Sequence, residues 1–292
     1  MPMQKNASKL FFILSMLTFS TVGVIRNYIP LPSGLISAVR GILGALTLLV
    51  IVLVWKRKLP IAGIGRKLPL LILTGACIGI NWILLFESYR YTSVAVATLC
   101  YYLAPSFVIL ASPLVLRERL DKTKLVTLIL SLVGMVFVSG VFESGFSFTG
   151  RNMIGILLAT GAALFYAAVI LSNKRIQGVD SNTLTVLELF SAGAVVLPYA
   201  LFAESFSLAD LTPLAIVLVI VLGVVHTGIA YALYFGTLPS LSTATVAVLG
   251  YIDPIVAILL SALLLKEPIT PFCILGALLI LGASLIADIK KK

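Results

Sequence analysis

The chain has 292 residues, 60% of them hydrophobic and 11% charged, with a net charge of +10 at neutral pH and a mean hydropathy of +1.15. A soluble domain has no surface on which to hide that much apolar area. The basic residues fall in short clusters between apolar runs, a pattern of membrane orientation and not of nucleic-acid binding, so the sequence is read as an all-α polytopic membrane protein whose first partner is the lipid bilayer.

Apolar runs of about 18–25 residues suit a hydrocarbon core of roughly 30 Å, and the chain divides into ten of them. The expected spans are about 9–27, 34–55, 68–88, 92–116, 123–141, 152–173, 182–203, 212–236, 240–265 and 270–288. The first is read as a retained span, because no small-residue cleavage site follows it. Span 2 carries Arg40. Span 3 ends in Asn81 and a stripe of Trp82, Phe86 and Tyr89 at i, i+4, i+7, a spacing that means packing or lipid contact. Tyr89 and Tyr91 fit an interfacial aromatic belt.

Span 4 places Tyr101 and Tyr102 about ten residues in, roughly 15 Å deep, which is below any belt, so their hydroxyls need polar partners. Pro105 follows them. Gly41 with Gly44 and Gly155 with Gly161 are read as points of close backbone approach. Span 7 carries Glu188, whose depth opposite to that of Arg40 argues against a direct pair; both are read as braces or snorkelling groups. Span 8 holds Tyr231 and His226, the single histidine. Span 9 carries Tyr251, Asp253 and Pro254.

Cys77, Cys100 and Cys273 are odd in number, lie in apolar segments and lack CxxC spacing, so neither a disulfide framework nor a zinc site is expected. With no carboxylate or cysteine at ligand spacing from His226, no metal or other cofactor is expected either. No HExxH, GxSxG, paired intramembrane aspartates or P-loop occurs, which disfavours an intramembrane enzyme and an ATP-driven pump.

An even number of spans puts both termini on one side. Cytoplasmic termini place sixteen basic residues inside (Lys5, Lys9, Lys56, Arg57, Lys58, Arg66, Lys67, Arg117, Arg119, Lys122, Lys124, Lys174, Arg175 and Lys290 to Lys292) against Arg26, Arg90, Arg151 and Lys266 outside. The positive-inside rule selects that orientation.

Sliding the sequence by 149 residues brings "SVAVATLCYYLAPSFVILASPLVLRE" onto "STATVAVLGYIDPIVAILLSALLLKE". Ser93 meets Ser242, Tyr102 meets Tyr251, Pro105 meets Pro254, Ser112 meets Ser261 and Glu118 meets Glu267. The same offset lays "GINWILLF" on "GIAYALYF". One offset serving two helices points to a duplication, with halves at 1–149 and 150–292. Five spans per half is an odd number, so the second half is inverted, as in many secondary transporters whose sites lie at the midplane. Pro105 and Pro254 are expected to bend their helices midway, facing protein or a cavity. Asp253 stands beside one bend, while its partner position is Ala104.

These paired motifs, with "HTGIAYALYF" before the second, resemble the EamA-type members of the drug/metabolite transporter superfamily over essentially the whole chain. The resemblance implies ten helices, a central cavity lined mainly by helices 1, 3, 4, 6, 8 and 9, and export of amino acids or other metabolites. Its cavity-facing positions fall on Asn81, Trp82, Tyr101, Tyr102, His226, Tyr231, Tyr251 and Asp253. The short four-helix multidrug members use a glutamate in the first span for proton exchange, and residues 9–27 here contain none.

Asp253 is expected to meet a substrate amine or carry a proton; the competing reading is a structural carboxylate held by Arg40 or by hydroxyls. His226 is expected to gate, to titrate or to bind a substrate carboxylate, against a packing role. The functional expectation is a secondary transporter of small molecules in the plasma membrane, most simply an amino acid or metabolite exporter, with an organic-cation exporter as the alternative. The sequence sets no oligomeric state and is compatible with a monomer.

Overall fold

The computed structural model describes residues 5–56, 64–117, 122–138, 142, 150–176 and 178–289. Glu118, Arg57, Lys58, Arg119 and Lys290 to Lys292 lie outside the described residues, and so does the end of the expected fifth span. In lipid every backbone polar group must be satisfied within the chain, which leaves helices as the form for these apolar runs.

Ten helices follow one another among the described residues. They are α1 (Lys5–Ser20, resuming as Val22–Asn27), α2 (Ser33–Lys56), α3 (Leu68–Ser88), α4 (Val94–Tyr101 and Ala104–Leu116) and α5 (Lys122–Val138), then α6 (Arg151–Asn173), α7 (Ser181–Phe202), α8 (Pro213–Val221 through Ala230–Thr237), α9 (Thr243–Gly250 and Ile252–Leu264) and α10 (Pro271–Ile289). Seven of the described helical rods are long and apolar enough to cross a membrane by length and composition, and α9 and α10 contribute shorter apolar helices. The expected spans are met within a few residues. Leu114, Leu263 and Leu278 are among the exposed apolar side chains that clothe the bundle for lipid.

Local signals recur at the repeat offset. Ser93 caps α4 by accepting from the Val96 amide, and Ser242 caps α9 by accepting from the Thr245 amide, each satisfying an orphan donor of its helix start. At the other ends, Arg117 and Lys266 both adopt left-handed backbone, with φ of 58° and 56°. Among the described residues no other non-glycine does so.

Packing exchanges the two halves. Helix α2 lies on α7 and α5 on α10, each on its own repeat mate; α3 packs on α6 and α7 while α8 packs on α1 and α2; α4 meets α6 and α9 meets α1. Every one of these seams joins the first half to the second, as a pseudo-twofold requires. The first core gathers Ile36, Leu48, Trp82, Phe86, Leu189 and Leu222 from α2, α3, α7 and α8. The second gathers Leu99, Leu103, Ile156 and Ile280 from α4, α6 and α10 with Cys100 and Cys273.

The structure holds one irregular turn that the sequence pattern does not announce, and outside the central site it departs from the sequence-based expectations at three places. Helix α8 runs without a break but widens part-way: Leu222–Ile229 winds as a π-helix. A Cβ on Gly223 would strike Leu43 and one on Gly228 would strike Thr47, both on α2. Glycines five apart share a face when the winding follows i→i+5, so the wider turn lets both meet α2. Tyr89 is not a belt residue; it packs against both cores and lies 6.5 Å from Phe86. Gly161 makes no close approach, since a Cβ there would meet only Leu84 at 3.4 Å. Arg40 does not snorkel: it is 5% exposed.

Candidate functional site

Helices α4 and α9 both break before their prolines. Pro105 stands in the first turn of Ala104–Leu116, after an open turn at 102–103, and Pro254 stands in the first turn of Ile252–Leu264, after a break at Tyr251. Proline has no N–H to return to the fourth residue back, so the helix is released one turn earlier than a mid-helix bend would suggest. The breaks carry Tyr102 and Asp253.

Tyr102 donates its hydroxyl to Asp253 Oδ2 at 2.9 Å. The repeat mates Tyr102 and Tyr251 face each other with ring centroids 6.4 Å apart, so the pseudo-twofold runs through this contact. Tyr101 stacks on Tyr166 of α6 at 5.5 Å and meets Tyr102 edge-on at 6.5 Å. On the α1–α8 side, Phe19 meets Tyr231 edge-on at 5.5 Å and Tyr234 at 6.2 Å, while Tyr231 meets Phe235 at 5.9 Å.

Arg40 enters from α2. Its Nε donates to Thr227 Oγ1 of the π-helix at 2.7 Å, and its guanidinium lies 4.3 Å over the Trp82 ring and 5.4 Å from Phe86. The predicted aromatic stripe is therefore packing, and also the floor beneath a cation. Glu188 is apart from Arg40: one oxygen accepts from Asn173 Nδ2 at 3.3 Å, and the other is buried without a partner. Asn81 is 1% exposed and donates to the Ala162 carbonyl at 2.6 Å, tying α3 to α6.

His226 is 4% exposed and bridges two irregular turns. Its Nδ1 lies 3.1 Å from the Val221 carbonyl, and its Nε2 lies 2.8 Å from Thr21 Oγ1, the residue between the two parts of α1. A carbonyl only accepts, so Nδ1 carries a proton and, in the neutral ring, Nε2 is an acceptor that competes with the Thr18 carbonyl, 2.8 Å away, for the threonine hydroxyl proton. Among the described residues no three metal-ligating side chains converge.

The structure thus gathers Tyr101, Tyr102, Tyr231, Tyr251, Asp253, Pro105 and Pro254 at the centre. Trp82 lies beneath Arg40, His226 lies behind the α1–α8 wall, and Asn81 lies in the α3–α6 seam. The tyrosine rings flank Asp253 without sealing it: Tyr101, Tyr102, Tyr231, Tyr251 and Asp253 are each only half-buried. A separate open cavity of about 510 Å³ lies at one end of the bundle, with Arg26, Ser33, Glu87, Arg90, Glu204 and Asp210 in its wall, and Asp253 does not line it. Sequence reasoning missed Phe19, Thr21, Tyr166 and Thr227 and misjudged Arg40.

The description EamA-like transporter family fits two stretches of the chain, residues 7–140 and 153–287. The chain belongs to the EamA-like transporter family. This EamA-like chain is 31% identical over 257 residues to "Uncharacterized transporter YxxF" of Bacillus subtilis, covering 88% of this chain and 81% of that protein. It is 28% identical over 274 residues to "Protein PecM" of Dickeya dadantii, covering 92% and 88%. One crystal structure superposes on it with a TM-score of 0.67 over 98% of each chain at 21% identity, a likeness of fold. As a family member the chain is a membrane-embedded transporter homologue built from two repeats.

Proposed function

We propose that this EamA-like chain is a secondary transporter that moves small metabolites, amino acids first among them, outward across the plasma membrane by alternating access. It acts as a carrier and not as an enzyme, with cytoplasmic termini and halves that divide near residues 149 and 150. The observation that carries the reading is the Tyr102–Asp253 contact, where the broken helices of opposite halves meet. Broken helices at a midplane repeat interface are where such proteins bind substrate and rock. Asp253 is an intramembrane acid at that interface, placed to meet an amine or to carry a coupling proton.

An organic-cation exporter is the second reading, and one observation favours it: Asp253 stands in a wall of tyrosine faces suited to a cation. The test is efflux of labelled aromatic, aliphatic and basic amino acids from proteoliposomes, with and without an imposed pH gradient, for the unsubstituted chain and Asp253→Asn. Gradient-driven accumulation that Asp253→Asn abolishes supports a coupling carboxylate. Equilibration whatever the gradient supports a facilitator. No amino acid flux alongside flux of an organic cation selects the second reading.

A further inference from the structure

Two arginines are buried in the described structure, each 5% exposed, and they are used in opposite ways. Arg26 spends Nη1 on the Ile29 carbonyl at 2.8 Å and Nη2 on Ser33 Oγ at 3.2 Å, and Ser33 leads on to Glu87 at 2.9 Å. That is a brace. Arg40 spends Nε alone, on Thr227.

Among the described residues the terminal amines of Arg40 have no acceptor, and no carboxylate forms an ion pair with it. Nor are those amines walled off. Among the described residues the sealed side-chain atoms without a partner are Arg26 Nε, Ser131 Oγ, Thr160 Oγ1, Asn173 Oδ1 and Glu188 Oε1, so Nη1 and Nη2 of Arg40 open onto internal space. A guanidinium is always charged, and a buried charge without a counter-ion is costly. The protein supplies the rings of Trp82 and Phe86 under its face and a hydroxyl at Nε, and leaves the two-pronged end unused.

Arg40 adjoins the central site. Tyr231, Tyr101 and Tyr89 lie within electrostatic reach of Arg40, and Tyr89 feels both Arg40 and Asp253. A cation and an acid therefore flank one cluster of phenols without pairing. The unused prongs match the two oxygens of a carboxylate. One guanidinium suits a single negative charge better than a phosphate dianion, because the other basic side chain within reach, His226, has both ring nitrogens engaged.

We propose that Arg40 anchors the substrate, its Nη1 and Nη2 taking a carboxylate in two parallel hydrogen bonds while Asp253 and the tyrosines receive the other end. This rests on the transport reading above and narrows it. The substrate class becomes small metabolites that bear a carboxylate, zwitterionic amino acids among them, and cations lacking an anionic group are excluded.

Trp82 reports on the site directly. The chain has two tryptophans, and Trp55 is 69% exposed, so Trp55→Phe leaves Trp82 as the sole tryptophan, read by excitation beyond the tyrosine absorption band. The purified Trp55→Phe protein is titrated with L-phenylalanine and L-leucine, with their decarboxylated amines and methyl esters, with inorganic phosphate and with tetraphenylphosphonium. Flux of the same compounds is measured in proteoliposomes. The expected result is a saturable Trp82 signal and flux for at least one amino acid, with at least tenfold weaker binding of its amine and ester. Arg40→Gln weakens the amino acid at least tenfold, and Arg40→Lys retains part of the affinity.

Amines or esters bound as tightly as the acids would overturn the anchor while leaving transport intact, as would full affinity in a folded Arg40→Gln. Phosphate bound more tightly than the amino acids overturns the carboxylate assignment. Flux of tetraphenylphosphonium alone overturns the inference and keeps a transporter; flux of nothing in the panel overturns both readings. The comparison of acid, amine and ester uses native Arg40 and stands even if Arg40→Gln fails to fold.

Discussion

Tyr102 and Asp253 share a 2.9 Å hydrogen bond across the join of the two halves, and each stands at the break of its own helix. Their repeat mates are Tyr251 and Ala104. The backbone thus repeats the device while the chemistry does not: two tyrosines face each other, but a single carboxylate is present. A carrier of a polar molecule needs that asymmetry, because a site with identical halves would present the same group to both ends of its substrate.

Tyr102→Phe keeps the ring contacts and removes the donor. Hydrogen bonds to charged groups contribute about 1.5–3 kcal/mol, and each 1.4 kcal/mol is about tenfold. Amino acid exchange in proteoliposomes is expected to fall roughly ten- to hundredfold. A wild-type rate in Tyr102→Phe would mean that the contact joins the halves without serving the cycle.

Two carboxylates of the second half hold helix starts of the first. Glu204 accepts from the Gly34 and Leu35 amides of α2 at 2.9 and 3.0 Å, and Glu267 accepts from the Val94 and Ala95 amides of α4 at 2.9 and 3.4 Å. Each satisfies orphan N–H donors and complements the helix dipole. Glu204→Ala and Glu267→Ala are each expected to cost about 0.5–2 kcal/mol, read as a lower unfolding temperature in detergent. The glutamine variants, which keep a neutral acceptor, should fall between. Equal stability for alanine and glutamate would show that water replaces the carboxylate.

Most of the fold was legible because its causes are local. Apolar run length sets the spans, and the offset of 149 ties Ser93 to Ser242 and Pro105 to Pro254. Asp253, Tyr101 and Tyr102 stood out as polar groups too deep for the headgroups. Arg40 was misjudged because its depth was counted from the start of its span, whereas its environment is made by Thr227 and Trp82 on other helices. The π-helix was missed for a related reason: its glycines declare themselves only against Leu43 and Thr47 of α2. Thr21 looks like any hydroxyl in a helix until the ring of His226 is set beside it.

The seam between α2 and α7 tests the close packing. A Cβ on Gly193 would lie 2.8 Å from the Ala38 carbonyl oxygen, and one on Gly41 would lie 2.8 Å from the Gly193 nitrogen. Backbone cannot move aside as a side chain can, so Gly193→Val is expected to cost about 1–3 kcal/mol. Gly236→Ala and Gly282→Ala point into open space and serve as controls. Unfolding in detergent should separate the seam variant from both controls; three coincident curves would contradict the seam.

The orientation of the bundle is open to a direct test. Arg66, Lys67, Arg117, Lys122, Lys124, Lys174 and Arg175 flank one end of the helices, while Arg26, Arg90, Arg151 and Lys266 flank the other. Basic residues in short connections favour the cytoplasmic side. Ser205 and Ser181 are exposed at opposite ends of α7, and the native thiols Cys77, Cys100 and Cys273 can be replaced by alanine to give a silent background. In intact cells a membrane-impermeant maleimide should label Ser205→Cys, whereas Ser181→Cys should be labelled only after permeabilisation. The opposite pattern would turn the bundle over, place the cavity beside Glu204 on the cytoplasmic side, and reverse the direction in which a substrate would reach Asp253 from that mouth.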